Sequence, residues 1–246
     1  MPSIIEASTT KPQLNITFDL DKSGSMAGEP MNQLNVAMAE AVQVCEEAAA
    51  EKEVQLLMRV ISFNDHAEWT YGDQHSGVEH IDWAPLSAYG GTNTAEALDM
   101  TRSIMSRKYL GERNYRPVVI LITDGESNNP SETVAAVGRL KGSLKSSTDP
   151  GKDKITRIAI GVHGANRTEL ENFASIGNIV REDGSVDENV PLVFDVDDVA
   201  MLKGLLKGVA LSSIASSIGA GLEGGGNEII IDPVYDSKET GDDWED

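Results

Sequence analysis

The stretch RPVVILIT, residues 116 to 123, constrains the fold more than any other part of the chain. It is an almost unbroken apolar run with charge at both ends, far shorter than a membrane span needs. Such a run suits a strand covered on both faces, and strands of that kind belong to parallel sheets flanked by helices. The surrounding pattern agrees. LNITFDLD (14–21) reads as a strand, and the segment 30–52, with Pro30 near its start, as a long helix. VQLLMRVISF (54–63) is a second strand, and a shorter third is expected between residues 69 and 86. In 94–105, Ala97, Leu98, Thr101, Ile104 and Met105 share one helical face. A helix over 131–144, a strand over 154–162, a short helix at 168–174, a strand at 192–196 and a helix over 199–217 complete the series. Strands alternating with helices predict an α/β fold with a doubly wound, mostly parallel central sheet. In such sheets ligands bind beyond the carboxyl ends of the strands, so chemistry is sought just after each one.

The expected organisation is a lead-in over 1–13, one domain over 14–218, and a Gly-rich linker with an acidic tail over 219–246. The tail lacks the apolar content to fold alone and reads as flexible. Its apolar island, Ile229 to Ile231 with Val234 and Tyr235, has two readings: a strap packed back on the domain, or a segment that adds to a partner's sheet edge. The formal charge of −20 would repel a phosphate backbone, which argues against nucleic acid as a partner. A start without a signal-peptide pattern, the lack of a membrane-length apolar run and a single cysteine, Cys45, lead to the expectation of a cytoplasmic protein. Cys45 lies on the apolar face of a helical pattern and reads as a small core residue. His66, His75, His80 and His163 show no zinc-ligand spacing.

After the first strand, FDLDKSGSM (18–26) admits three readings. As an EF-hand loop starting at Asp19 it fails, because position 12 is Pro30 and Glu29 comes one place early. As a phosphatase motif, Asp19 and Asp21 would be nucleophile and acid/base, with Thr123 at the end of a later strand. That reading also needs a cation, for which Lys141 is a candidate, and the further carboxylates Asp195, Asp197 and Asp198 are spaced without specificity. As D-x-S-x-S, the stretch supplies Asp21, Ser23 and Ser25. YGGTNT (89–94) then adds Thr92 in a glycine-flanked loop before a helix, and LITDGES adds Asp124 directly after the central strand. Hydroxyl and carboxylate oxygens without His or Cys select a hard cation, Mg²⁺ first, with Mn²⁺ or Ca²⁺ also compatible.

This three-part signature resembles the metal-ion-dependent adhesion site of von Willebrand factor A domains, and the likeness in motif order and strand pattern runs from about Leu14 to Ser217. The wording RPVVILITDGES and YGGTNTAEAL is further similar to the stand-alone bacterial A domains of the tellurium-resistance (TerY-type) group. The resemblance implies a cytoplasmic adaptor without catalysis, whose metal captures an acidic side chain of another protein. Members of that group are associated with kinases and phosphatases in stress-response or defence systems. A Mg²⁺-dependent phosphohydrolase using Asp19 and Asp21 is the alternative. Asp19, on the same strand face as Asp21, is expected either beside the site or as a solvated or capping carboxylate.

Overall fold

The computed structural model describes residues 11–51, 54–110, 114–144, 154–162, 164–181, 184–196, 199–219 and 228–231. In chain order the elements are β1 (Gln13–Asp21), a 3₁₀ turn (Gly24–Met26), α1 (Glu29–Glu51), β2 (Gln55–Phe63), β3 (Ala67–Tyr71), α2 (Thr94–Ile104), α3 (Arg107–Leu110), β4 (Val118–Thr123), α4 (Pro130–Lys141), β5 (Thr156–Val162), α5 (Arg167–Phe173), β6 (Ile176–Arg181), β7 (Val186–Pro191), β8 (Val193–Val196), α6 (Val199–Gly219) and β9 (Glu228–Ile231).

The main sheet has six strands in the order β3-β2-β1-β4-β5-β8. β1 pairs in parallel with β2 and β4, β4 with β5, and β5 with β8, while β3 is the antiparallel edge. The order runs outward from β1 in one direction and from β4 in the other. The topological switch point therefore lies between these two strands, where an open sheet opens a crevice.

Alternation along β4 explains its composition. Val118, Ile120 and Ile122 join the core shared with α1 and α6, whereas Val119 and Leu121 join the core beneath α2, α4 and α5. Both faces are covered, so no position along the strand is free to be polar until Thr123. β1 behaves differently. Leu14, Ile16, Phe18 and Leu20 fill the α1 side, but the opposite face carries Asn15, Thr17, Asp19 and Asp21, each no more than 1% exposed. The interior at the α2 side of β1 is a polar seam.

Cys45 packs fully buried on α1, and burial pushes its thiol up to about 12, which fits an inert core residue. Trp69 and Trp83 pack partly buried against the two cores, and Trp83 stacks on Tyr71 at 5.7 Å between centroids. The third strand is an edge hairpin partner of β2 that begins earlier than expected, at Ala67.

Sequence periodicity did not show a second sheet of three strands in the order β7-β6-β9. β6 and β7 form an antiparallel hairpin, and β9, within the expected tail, pairs in parallel with β6. The strap reading thus describes Glu228–Ile231. The remaining tail, the lead-in up to Thr10, Asp197, Asp198 and His163 lie outside the described residues. Among the described residues no helix is long and apolar enough to cross a membrane.

Candidate metal centre

Three loops meet at the carboxyl ends of β1 and β4, the switch point. β1 ends at Asp21, whose Oδ1 accepts the Ser23 backbone N–H at 2.7 Å. Its Oδ2 accepts the Thr123 hydroxyl at 2.6 Å, from the last residue of the neighbouring strand. Asp21 is thereby fixed at the top of the sheet, fully buried and turned inward. Burial, helped by the nearby Asp124 charge, raises its pKa to about 6 against the hydrogen bonds that lower it.

The hydroxyls come next. The Ser23 and Ser25 Oγ atoms lie 3.0 Å apart, and Ser25 Oγ donates to Asp124 Oδ1 at 2.9 Å. Ser23 is buried and Ser25 exposed, so the row of oxygens runs from the interior to the surface.

The third loop is tied to the first by its backbone. Gly24 N–H donates to the Gly90 carbonyl at 2.9 Å, and Tyr89 N–H to the Lys22 carbonyl at 2.9 Å. Gly90 has φ +78°, and a side chain there would meet Asp65 Oδ2 at 2.5 Å, so only glycine fits. Two residues on, Thr92 is buried, and its carbonyl accepts the Asn128 N–H at 2.9 Å from the loop after β4. Asn93 caps α2 by accepting the Glu96 N–H, which stops the loop at a defined point. The chain from residue 72 to 93 is otherwise irregular, and side chains strap it down. Glu46 takes the Ile81 N–H, the Tyr71 hydroxyl bridges Asp82 and Ala84, and Asn35 pairs with both the N–H and the carbonyl of Leu86.

Asp21, Ser23, Ser25 and Asp124 thus form one connected cluster, and Thr92 is brought to the same edge by the Gly24–Gly90 and Thr92–Asn128 links. Two supporting residues escaped the sequence reading of this site. Thr123 holds Asp21; a hydroxyl at the last position of an otherwise apolar strand was its signal. Asn35 holds the Thr92 loop, and nothing local in the sequence marks it.

Asp19 takes neither expected place. It is 0% exposed and accepts the Thr101 hydroxyl of α2 on both oxygens, at 2.8 and 3.0 Å. Burial drives its pKa to about 8, against the Thr101 bond that lowers it. A carboxyl sealed under α2 cannot reach a phosphoryl group. Lys141 bonds the Asn172 carbonyl at the far end of α4, about 18 Å along the helix from Asp124's loop at 1.5 Å per residue. Asp195 is paired with Arg167. The phosphatase reading finds its parts dispersed.

Among the described residues no three or more His, Cys, Asp or Glu gather as a ligand group. His66 and His80 lie beside Glu96 and Glu46 at the surface. Any cation at this edge therefore depends on hydroxyl ligands.

A doubly wound α/β domain with an oxygen-rich cluster at its switch point defines a class of binding domain. The chain belongs to the von Willebrand factor type A domain family, whose family model matches residues 15–204. It is 30% identical over 172 residues to the collagen alpha-5(VI) chain of Mus musculus, a match covering 65% of this chain and 6% of that one. Among solved structures it is similar to a von Willebrand factor type A protein from Catenulispora acidiphila, with 19% identity, a TM-score of 0.57 and coverage of 84% and 43% of the two chains. Proximal thread matrix protein 1 from the mussel byssus, solved with a zinc-occupied metal-ion-dependent adhesion site, matches with 21% identity, a TM-score of 0.55 and coverage of 83% and 46%. The chain thus spans less than half the length of these relatives. Domains of this family typically mediate metal-dependent protein–protein interaction or adhesion.

Proposed function

We propose that this chain is a non-catalytic, metal-dependent protein-interaction domain, in which Asp21, Ser23, Ser25, Thr92 and Asp124 hold a Mg²⁺ ion. One observation carries the reading: oxygens of Ser23, Ser25 and Asp124, from the loops after β1 and β4, are linked at 3.0 and 2.9 Å at the switch point. Around an octahedral cation with bonds of 2.0–2.1 Å, adjacent ligand oxygens stand about 2.9 Å apart. The Ser23–Ser25 and Ser25–Asp124 separations are 3.0 and 2.9 Å. These are also ordinary hydrogen-bond lengths, and it is the all-oxygen donor set, with neutral hydroxyls among it, that favours a hard cation such as Mg²⁺ or Mn²⁺.

The division of labour follows from the hydrogen bonds. Ser23, Ser25 and Thr92 are neutral ligands, Asp124 brings charge at the open edge, and Asp21, with both oxygens engaged by protein donors, braces the loop. When bound, a cation so weakly neutralised supplies an electrophilic position for an anionic oxygen. The exposed side of Ser25 gives a partner's Asp or Glu its approach. The likeness to TerY-type domains supports a cytoplasmic adaptor working with a kinase or phosphatase in a bacterial stress or defence system. Affinity capture in Mg²⁺ and in EDTA, with Asp124→Ala as control, tests this. A partner held only by metal-loaded parent protein is expected; partners indifferent to EDTA and to the substitution would refute the reading.

A further inference from the structure

The turn between β2 and β3 spans only residues 64 to 66 and is closed on itself. Asn64 N–H donates to the His66 carbonyl at 3.0 Å, and His66 N–H to Asn64 Oδ1 at 3.3 Å. The turn carries none of the five proposed ligands. Yet three consecutive residues, the last of β2 and the first two of the turn, each accept a backbone N–H from a loop that does. The Phe63 carbonyl accepts the N–H of Lys22, between Asp21 and Ser23, at 2.8 Å. The Asn64 carbonyl accepts the Asn93 N–H at 2.7 Å, and Asp65 Oδ1 accepts the Gly91 N–H at 2.9 Å. Thr92 is thus gripped through both of its chain neighbours, and the Asp65 carbonyl adds the Asn93 side-chain amide at 3.2 Å.

Of these acceptors only the Asp65 carboxylate is a side chain; the others are backbone carbonyls that any residue supplies. Asp65 is exposed, so it fills no place in the core. The loop it holds is shaped to it. A methyl group on Gly90, which has φ +78°, would stand 2.5 Å from Asp65 Oδ2. One on Gly91 would stand 2.9 Å from Asp65 Oδ1 and closer still to Asn128 Nδ2. Both carboxylate oxygens therefore rest on glycine backbone, where any side chain would push them off. On the other side of the segment the Asn128 N–H holds the Thr92 carbonyl at 2.9 Å. Residues 90 to 92 are clamped between the β2–β3 turn and the loop after β4.

We propose that Asp65 is a positioning residue for the metal centre: by fixing Gly91 against the β2–β3 turn, it sets where Thr92 meets the cation. The proposal rests on the metal reading above and extends it to a residue outside the five ligands. Neighbours that orient a ligand through hydrogen bonds typically contribute ten- to 100-fold to metal affinity. The role is that of an acceptor at a fixed point, not of a negative charge near a cation. Asn at this position keeps the acceptor oxygen and loses the charge, whereas Glu keeps the charge on a longer arm that cannot rest on Gly90 and Gly91 in the same way.

The test reads Mg²⁺ affinity of the full chain by calorimetry and hydrogen exchange of the Gly91 amide in EDTA by NMR. Asp65→Ala and Asp65→Glu should each weaken Mg²⁺ about ten-fold and speed Gly91 exchange, whereas Asp65→Asn should stay within about two-fold of the parent in both. Once Thr92→Ala has removed the ligand, adding Asp65→Ala should cost no more than roughly two-fold further. The reverse ranking, with Asp65→Glu near the parent and Asp65→Asn impaired, would make Asp65 a charge effect and overturn the proposal. So would faster Gly91 exchange with unchanged Mg²⁺ affinity, or losses from Asp65→Ala and Thr92→Ala that simply add; each of these leaves the metal reading intact. A parent that binds no Mg²⁺, or a Thr92→Ala variant with unchanged affinity, overturns the metal reading and this proposal with it.

Discussion

β1 carries a polar cluster at each end, and the two are built on opposite terms. At the amino end, Arg59 is fully buried, with burial lowering its pKa. Its guanidinium donates to Asn15 Oδ1 at 2.8 Å and to the Asp73 carbonyl at 3.1 Å, and Asn15 donates in turn to Asn114 at 2.6 Å. Gly72 and Gly77 lie against it, where a methyl group would stand 3.1 and 3.3 Å from its side-chain atoms. This cluster ties loops together and is closed by protein on every side. At the carboxyl end, Asp21, Ser23, Ser25 and Asp124 are carboxylates and hydroxyls that lead outward to the exposed Ser25. Two acidic groups held near one another cost stability without a cation. Buried polar groups satisfied within the protein serve the fold, whereas those arranged toward solvent at some electrostatic cost mark a site.

The largest effect that separates the ends is expected from Arg59→Ala. Removing the guanidinium strands Asn15 and two loops and should cost about 4 kcal/mol of folding stability by chemical denaturation. Added Mg²⁺ should not restore more than mass action allows. Asp124→Ala is the mirror image. Apparent Mg²⁺ affinity by calorimetry should fall about 100-fold, with stability in EDTA equal to or above that of the parent. If Arg59→Ala spared the fold, or Asp124→Ala unfolded the metal-free chain, the contrast would collapse.

Smaller changes sharpen the distinction. Asn35→Ala frees Leu86 and slackens the Thr92 loop, so Mg²⁺ affinity should drop about ten-fold, at a cost to stability of about 1 kcal/mol; a stability loss with unchanged affinity would make Asn35 purely structural. Asp19 gives a pH signature. Its folded pKa of about 8 lies above the ordinary 3.8, so the folded state holds a proton that the unfolded state releases across this window. Its contribution therefore diminishes as pH rises from about 4 to 8. Asp19→Asn should flatten that slope, so that the metal-free variant loses less stability than the parent between about pH 5 and 8. An unchanged slope would show that Asp19 is not the group responsible.

Much of this was legible in the chain. The two-face burial of β4 follows from its unbroken apolar run, and of the proposed ligand residues Asp21, Ser23, Ser25 and Asp124 stand at or just after strand ends, with Thr92 before α2. What escaped has physical causes. β7 is exposed along Val186 to Glu188 and carries no alternating pattern, so the hairpin is signalled only by Asp183-Gly184, with Gly184 at φ +81°. Strand period put Asp19 on the same face as Asp21, but whether α2 would cover it depends on tertiary packing. The straps over residues 72–93 come from Asn35, Glu46 and Tyr71, each distant in sequence from what it holds.

Whether the carboxyl-end cluster is a cation site can be read from a Mn²⁺ titration followed by electron paramagnetic resonance. One saturable Mn²⁺ per chain is expected, displaced by excess Mg²⁺ and lost in Asp124→Ala while Asp19→Asn retains it. Absence of saturable binding in the parent, or equal binding in Asp124→Ala, would contradict it.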